Sequence, residues 1–182
     1  MAIHGREAFI ANLDQTFKAV DLCVENHLFN PTLILVLSIM DAFSWIEFPN
    51  INNPKDRFEK WVDKWVLPHE HVVCNAVDLY AYRSAMLHRF GTQSRLVENK
   101  QASAISFCRG GAPFKVLEKF RSIYMEDFGE DIGIVKFESL VEAVKKGVTN
   151  FLEHADSDTD LQVQMEAYFD SEQANHFPSD QG

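Results

Sequence analysis

The segment from Thr32 to Phe48 is apolar around nearly its whole circumference, with Ser38, Asp41 and Ser44 as the only polar interruptions before Glu47. A helix with no polar face cannot lie on the surface of a water-soluble protein, so other helices must surround it. Its most apolar run, Leu33 to Met40, is closed by Asp41 and is far shorter than the ~20 apolar residues that cross a bilayer. The expectation is a central buried helix and no membrane partner.

The neighbours that could cover it carry one apolar stripe each. Arg6 to Phe29 places Ile10, Leu13, Phe17, Val20, Val24 and Leu28 at steps of three and four, one face of a helix. Asn30-Pro31 reads as the start of the central helix, because Asn accepts a bond from a free N–H and Pro has none to lose. Asn53-Pro54 repeats that signal before a helix over Lys55 to Leu67, with Phe58, Trp61, Val62 and Trp65 on one stripe and Pro68 closing it. A fourth helix is predicted from Glu70 to Phe90, stopped by Gly91. A last long one spans Glu138 to His154 through Leu140, Val141, Val144, Val148, Phe151 and Leu152.

Between these helices the pattern weakens. Ala104 to Cys108 and Ile132 to Phe137 are short β-branched or aromatic stretches, expected to pair as a small two-stranded β ribbon. Phe114 to Phe128 is weakly helical, and Leu161 to Phe169 adds a short helix. The fold class is therefore mainly all-α, a helical bundle with a minor ribbon. We expect one domain over residues 1–170 and a polar, frayed tail over 171–182.

Three cysteines without a CxxC spacing (Cys23, Cys74, Cys108) argue against a disulfide framework and against a zinc site. Reduced thiols point to the cytoplasm, and Met1 to Arg6 has no signal-peptide pattern. No phosphate-binding loop, nucleophile elbow or dinucleotide fingerprint occurs, and no cofactor or metal is expected. The net charge of −10 is uneven: residues 89–121 hold 7 basic and 2 acidic side chains, a local +5. Arg89, Arg95, Lys100 and Arg109 in that segment are candidate phosphate contacts; a solvated connecting segment is the plainer account.

The fourth helix carries the one constellation with chemical content. Its stripe runs Val72, Ala76, Leu79, then Arg83, then Met86 and Phe90, so a guanidinium stands where an apolar residue belongs. Such a charge needs a carboxylate, an interface or a phosphate. His88 follows five residues later, in Arg83-Ser84-Ala85-Met86-Leu87-His88. This segment resembles the Arg-x4–6-His motif of HEPN domains (higher eukaryotes and prokaryotes nucleotide-binding). The tract Leu35 to Ala42, the Trp-rich helix and Asp78-Leu79-Tyr80 also look like bacterial members of unassigned function. The family usually places Asn, Asp or His after the arginine, where this chain has Ser84.

The resemblance covers roughly Arg6 to Phe90 plus the last long helix. It implies an all-helical bundle, often homodimeric, with an RNA substrate cleaved without metal, a toxin or defence role, and an antitoxin-like protein partner. It carries over Arg83 and His88 as catalytic residues. On a helix they lie about 140° apart, so two chains would have to share one cleft. Ser84, one turn before His88, and the carboxylates Asp41 and Asp78 are supporting candidates. The alternative is a non-catalytic interaction module, in which Arg83 pairs with Asp41 or Asp78 and His88 caps the helix end. Two weaker candidates complete the reading: His69-Glu70-His71 as a metal seed and Gly110-Gly111 as a phosphate-facing turn, each more simply a solvated turn.

Overall fold

A computed structural model describes residues 3–69, 72–91, 93–111 and 113–176. The chain is mainly helical. Helices α1 (Ile3–Glu25), α2 (Phe29–Glu47), α3 (Pro54–Trp65), α4 (Ala76–Arg89), α7 (Phe137–Ser157) and α8 (Thr159–His176) build the bundle. A short α5 (Arg95–Glu98) and α6 (Phe114–Phe128) accompany three strands, β1 (Val72–Val73), β2 (Ala104–Cys108) and β3 (Ile132–Lys136).

Helix α2 sits at the centre, in contact with α1, α3, α4, α7 and α8. By length and composition it is the one helix among the described residues that could cross a membrane, and half of its apolar window is buried inside the bundle. Ile39, Phe43 and Trp61 are buried as the periodicity predicts, whereas Leu35 is half-buried and packs at the edge of the core. Phe43 anchors an aromatic cluster with Phe9, Trp61 and Phe151.

The helix borders follow local chemistry more than the sequence reading allowed. Helix α1 ends at Glu25, where His27 takes a left-handed φ of 57° and Leu28 N–H bonds back to Cys23 C=O. That turn removes Leu28 from the stripe. Phe9 packs on the core and on the first-turn side replaces Ile10, which is exposed. Helix α2 starts at Phe29 with Leu28 as its cap, so Asn30 does not cap it; Thr32 Oγ1 donates instead to Leu28 C=O. Asn53 does cap α3, its side chain accepting from Lys55 N–H with Pro54 at the first position.

Helix α4 begins at Ala76, six residues later than expected. Val72 and Val73 have the β-branched side chains that favour strand, and they pair antiparallel with Val135 and Ile134 of β3. The expected two-stranded ribbon is thus a three-stranded sheet, order β1-β3-β2. Strands β2 and β3 run parallel, in register Ala104↔Ile132 through Cys108↔Lys136. Parallel neighbours cannot be joined by a tight turn, and α6 provides the crossover. It packs on β3 through a small separate cluster of Leu117, Ile132 and Ile134, while Val116, Phe120 and Ile123 on its outer face are exposed.

Two close contacts fix α3. Glu47, at the end of α2, accepts from Lys64 Nζ (2.6 Å) and Trp65 Nε1 (2.7 Å). Gly147 of α7 lies so near that a Cβ there would stand 2.6 Å from the Trp65 carbonyl oxygen. Helix α8 runs on through His176, into the segment expected to be tail; residues 177–182 lie outside the described ones.

Candidate functional site

Arg83 lies on α4, on the face turned toward α2 and α3. Leu79 and Met86, one turn either side, are buried, so the helix presents its guanidinium at the margin of the core. It finds a carboxylate there. Arg83 Nη2 donates to Asp41 Oδ2 at 2.7 Å, and the two side chains keep 16% and 25% of their exposure. Asp41 is the charged residue that interrupts the central helix, so each of the two sequence anomalies answers the other. The pair is partly open, and Arg83 also lies near the ring of Tyr80, with Cζ 5.8 Å from its centroid.

A third charge, Arg57 of α3, shares this region. It is almost wholly buried, donates from Nη1 to Ile51 C=O at 2.9 Å and stacks on Trp45 with Cζ 3.7 Å from the ring centre. Burial holds its guanidinium below the usual value; Asp41 works in the opposite direction, and Arg83 adds to the lowering. Two guanidiniums therefore face one carboxylate. Asp41 Oδ1, Arg57 Nε and Arg83 Nε are buried without a hydrogen-bond partner, an excess of polar capacity that native interiors seldom leave unmet. The sequence reading missed Arg57 because the helix stripe already accounted for its neighbours Phe58 and Trp61.

His88 is exposed on the last turn of α4 and has no ion pair or hydrogen bond among the described residues. Within one chain it does not meet Arg83. Ser84 is half-buried and makes no bond to His88. The helix ends on Phe90, which takes the left-handed φ of 50° that the sequence assigned to Gly91 and leaves its ring in solvent.

Asp78 serves another purpose. It is buried, its Oδ2 accepts from Asn75 N–H (2.9 Å) and its Oδ1 from Ser103 N–H (2.7 Å). It closes the first turn of α4 and ties it to the strand β2 entry, and it is not the partner of Arg83.

The basic segment is spread over several elements. Arg95 opens α5 and is exposed, and Lys100 lies beyond α5 with Nζ 3.9 Å from Glu130. Arg109 follows the far end of β2, a five-residue strand away. Arg121 is engaged by Asp131 through two hydrogen bonds. The backbone of Arg89 closes α4, and its side chain lies outside the described residues.

Gly110 forms a turn with φ 75°, and its N–H donates to Glu138 Oε1 at 3.1 Å, which occupies the donor a phosphate would need. Of His69-Glu70-His71, only His69 is among the described residues. Across all of the described residues no three His, Cys, Asp or Glu side chains converge as metal ligands would. The three thiols are free, and burial pushes Cys74 up to about 12.

Comparison of the chain with protein-family models, curated proteins and solved structures finds no match.

Proposed function

We propose that this protein is a HEPN-like RNA-binding domain that works as a homodimer and cleaves RNA without a metal ion, with His88 as general base and Arg83 as phosphate ligand. The observation that carries the reading is the contrast on one helix: Arg83 is oriented by Asp41, and His88, five residues on, is exposed with no partner among the described residues. A neutral imidazole takes a proton from a ribose 2′-hydroxyl as general base. A planar guanidinium held in place by a carboxylate stabilises the charge that develops on the phosphate, at little cost in reorganisation. Because the two side chains diverge on the helix, the Arg83 of one protomer would act with the His88 of the other. A two-fold dimer with the ends of the α4 helices near its axis meets that need. A toxin or defence setting, with an antitoxin-like protein partner, is the role that the family resemblance suggests for such chemistry.

A second reading is favoured by the same ion pair. Asp41 and Tyr80 give Arg83 a structural reason to stand where it does, and a non-catalytic interaction module would keep both. Incubation of the full chain with single-stranded RNA, with and without chelator, separates the two. Cleavage that survives chelator, is lost in His88→Ala and in Arg83→Lys, and leaves 2′,3′-cyclic phosphate ends supports the enzyme; DNA, lacking the attacking hydroxyl, resists. Intact RNA with wild-type protein supports the module.

A further inference from the structure

Helix α6 is apolar on two sides, and the fold of one chain uses only one of them. The side turned to the sheet is the buried Leu117, with Phe114 and Tyr124 beside it, packed on Ile132 and Ile134 of β3. Val135, next in β3, lies in the main core, because successive side chains of a strand point to opposite faces. The sheet therefore stands between α6 and the bundle.

The second apolar side is Val116, Phe120 and Ile123, at steps of four and three. At about 100° per residue they fall within about 60° of one another, and about 80° round the helix from Leu117 and Tyr124. They keep 56, 50 and 45% of their exposure, so the described residues leave the stripe open. Single exposed apolar side chains are ordinary, but a contiguous row on one helix face marks a place for a partner. Phe120 is also held in position: its ring lies 6.4 Å from that of Tyr124, which packs on the sheet.

The charges beside the stripe identify the partner. Lys119 and Glu126 stand seven residues apart on its outer edge, and Lys115 and Asp127 lie near its two ends. All four are exposed and form no ion pair among the described residues. Arg121 is held by Asp131, and Glu118 lies on the opposite side of the helix. The edge is thus basic at its start and acidic at its end, which makes it complementary to itself reversed. When two copies pack about a two-fold axis, residue i of one meets residue j of the other, and j meets i. With the axis between Phe120 and Ile123 and the helices antiparallel, each Phe120 lies against the other copy's Ile123. The same register sets Lys119 opposite Glu126 twice and brings Asp127 toward Lys115 at both ends. A parallel pair would set like charges at one level. A lipid surface fits less well, since interfacial helices carry Lys and Arg along their polar edges, and these four charges cancel.

We propose that the outer face of α6 is a self-association surface, through which two copies of this chain pair antiparallel. Two helices of about four turns bury less than the ~800 Å² per partner of a standard interface, so the pairing is a micromolar one. The inference does not rest on Arg83, His88 or cleavage, since it uses a different helix on the far side of the sheet.

The test is sedimentation equilibrium of the full chain from about 1 to about 500 µM. A reversible doubling of mass is expected. It runs from monomer to dimer, or from dimer to tetramer if copies also join through the ends of α4, so the step is read and not the absolute mass. Phe120→Ser combined with Ile123→Ser should weaken the step at least about tenfold, with little change in the melting temperature of the dilute protein. Lys119→Glu alone and Glu126→Lys alone each set like charges face to face and should weaken it about three- to tenfold. An equimolar mixture of those two single variants should associate at least as tightly as wild type, because each copy then carries one sign at both positions. A variant that had merely unfolded would not be restored by mixing. The proposal is overturned if the wild type keeps one mass across the range, if all three variants step as the wild type does, or if the mixture associates no better than its components. It is equally overturned if the wild type shows no step but binds vesicles of phosphatidylcholine and phosphatidylglycerol that the serine variant does not bind, which gives the face to a lipid surface.

Discussion

Asp41 and Arg83 stand 42 residues apart in sequence, and their side chains meet at 2.7 Å across the α2–α4 contact. Each is a polar intrusion into an apolar stripe, and each would be a liability alone. Removing the carboxylate leaves Arg83 and the more deeply buried Arg57 facing one another. Asp41→Asn should therefore cost about 2–3 kcal/mol in urea unfolding. The double variant with Arg83→Gln should recover part of that loss, giving a coupling of about 1–2 kcal/mol. Additive losses would mean that the two side chains do not interact in solution.

Arg95 and Lys100 are exposed, and Lys100 is only loosely tied to Glu130. Neither supports the core, so reversing both to glutamate should leave the melting temperature within about 1–2 °C of wild type. If RNA is held by this segment, the same double variant should weaken it about tenfold at low salt and lower the slope of affinity against salt by about two. Filter binding over a salt series measures both. An unchanged slope would place the phosphate contacts elsewhere.

The Arg121–Asp131 pair makes a directional statement about acid. The hydrogen bonds from Arg121 hold the Asp131 carboxyl below its usual range, against the opposing effect of burial. A group whose folded pKa lies below its unfolded value contributes stability above the unfolded value, near 3.9, and loses it as pH falls through the folded one. Asp131→Asn should thus be less stable at pH 7, by about 0.5–1 kcal/mol for so exposed a pair. Its stability should also fall less steeply than wild type below about pH 4. Urea midpoints measured from pH 7 to pH 2.5 give the comparison, and parallel curves would remove the pair from the account.

Gly147 sets two effects against each other. Replacing a helix-interior glycine with alanine ordinarily gains about 1 kcal/mol. Here the new methyl would lie 2.6 Å from the Trp65 carbonyl oxygen, a backbone atom that cannot swing aside. The clash wins: Gly147→Ala should lose about 1–3 kcal/mol. Gly111→Ala, where nothing lies within 4 Å of the added carbon, is the matched control and should be near neutral. A stabilised Gly147→Ala would show that α3 and α7 pack less closely than described.

The parts of this fold that a sequence displays are those governed by a local period. Phe58, Trp61 and Val62 announce α3, and Leu140 through Phe151 announce α7, because a 3.6-residue repeat is visible within one window. Val72 was misplaced for the same reason: its spacing to Ala76 and Leu79 suits a helix, and only pairing with Val135, 63 residues away, makes it a strand. The partner of a two-residue strand is a non-local fact. So is the direction in which β2 meets β3, since a ribbon and a crossover share the same short runs.

The site divides in the same way. Arg83 drew notice because it broke a stripe, and Asp41 because it broke another; their union was one of two options that the sequence left open. Asp78 looked like an equal candidate until the start of α4 moved to Ala76, which made it a third-position acceptor for the Asn75 N–H.

The crossover helix α6 has a consequence of its own. It rests through Leu117 on Ile132 and Ile134 of β3, a minor cluster apart from the main core, and turns Val116, Phe120 and Ile123 to water. Little apolar surface is given up when it lifts away, so its amides should exchange with solvent through a shallow local opening while those of α2 wait for the whole molecule to unfold. Its ends, however, are sewn to β2 and β3, which hold each other in register from Ala104 to Cys108. The helix is therefore a tethered flap, free to loosen in place and unable to stray, and what it briefly uncovers on each excursion is the face of β3 that holds the sheet together.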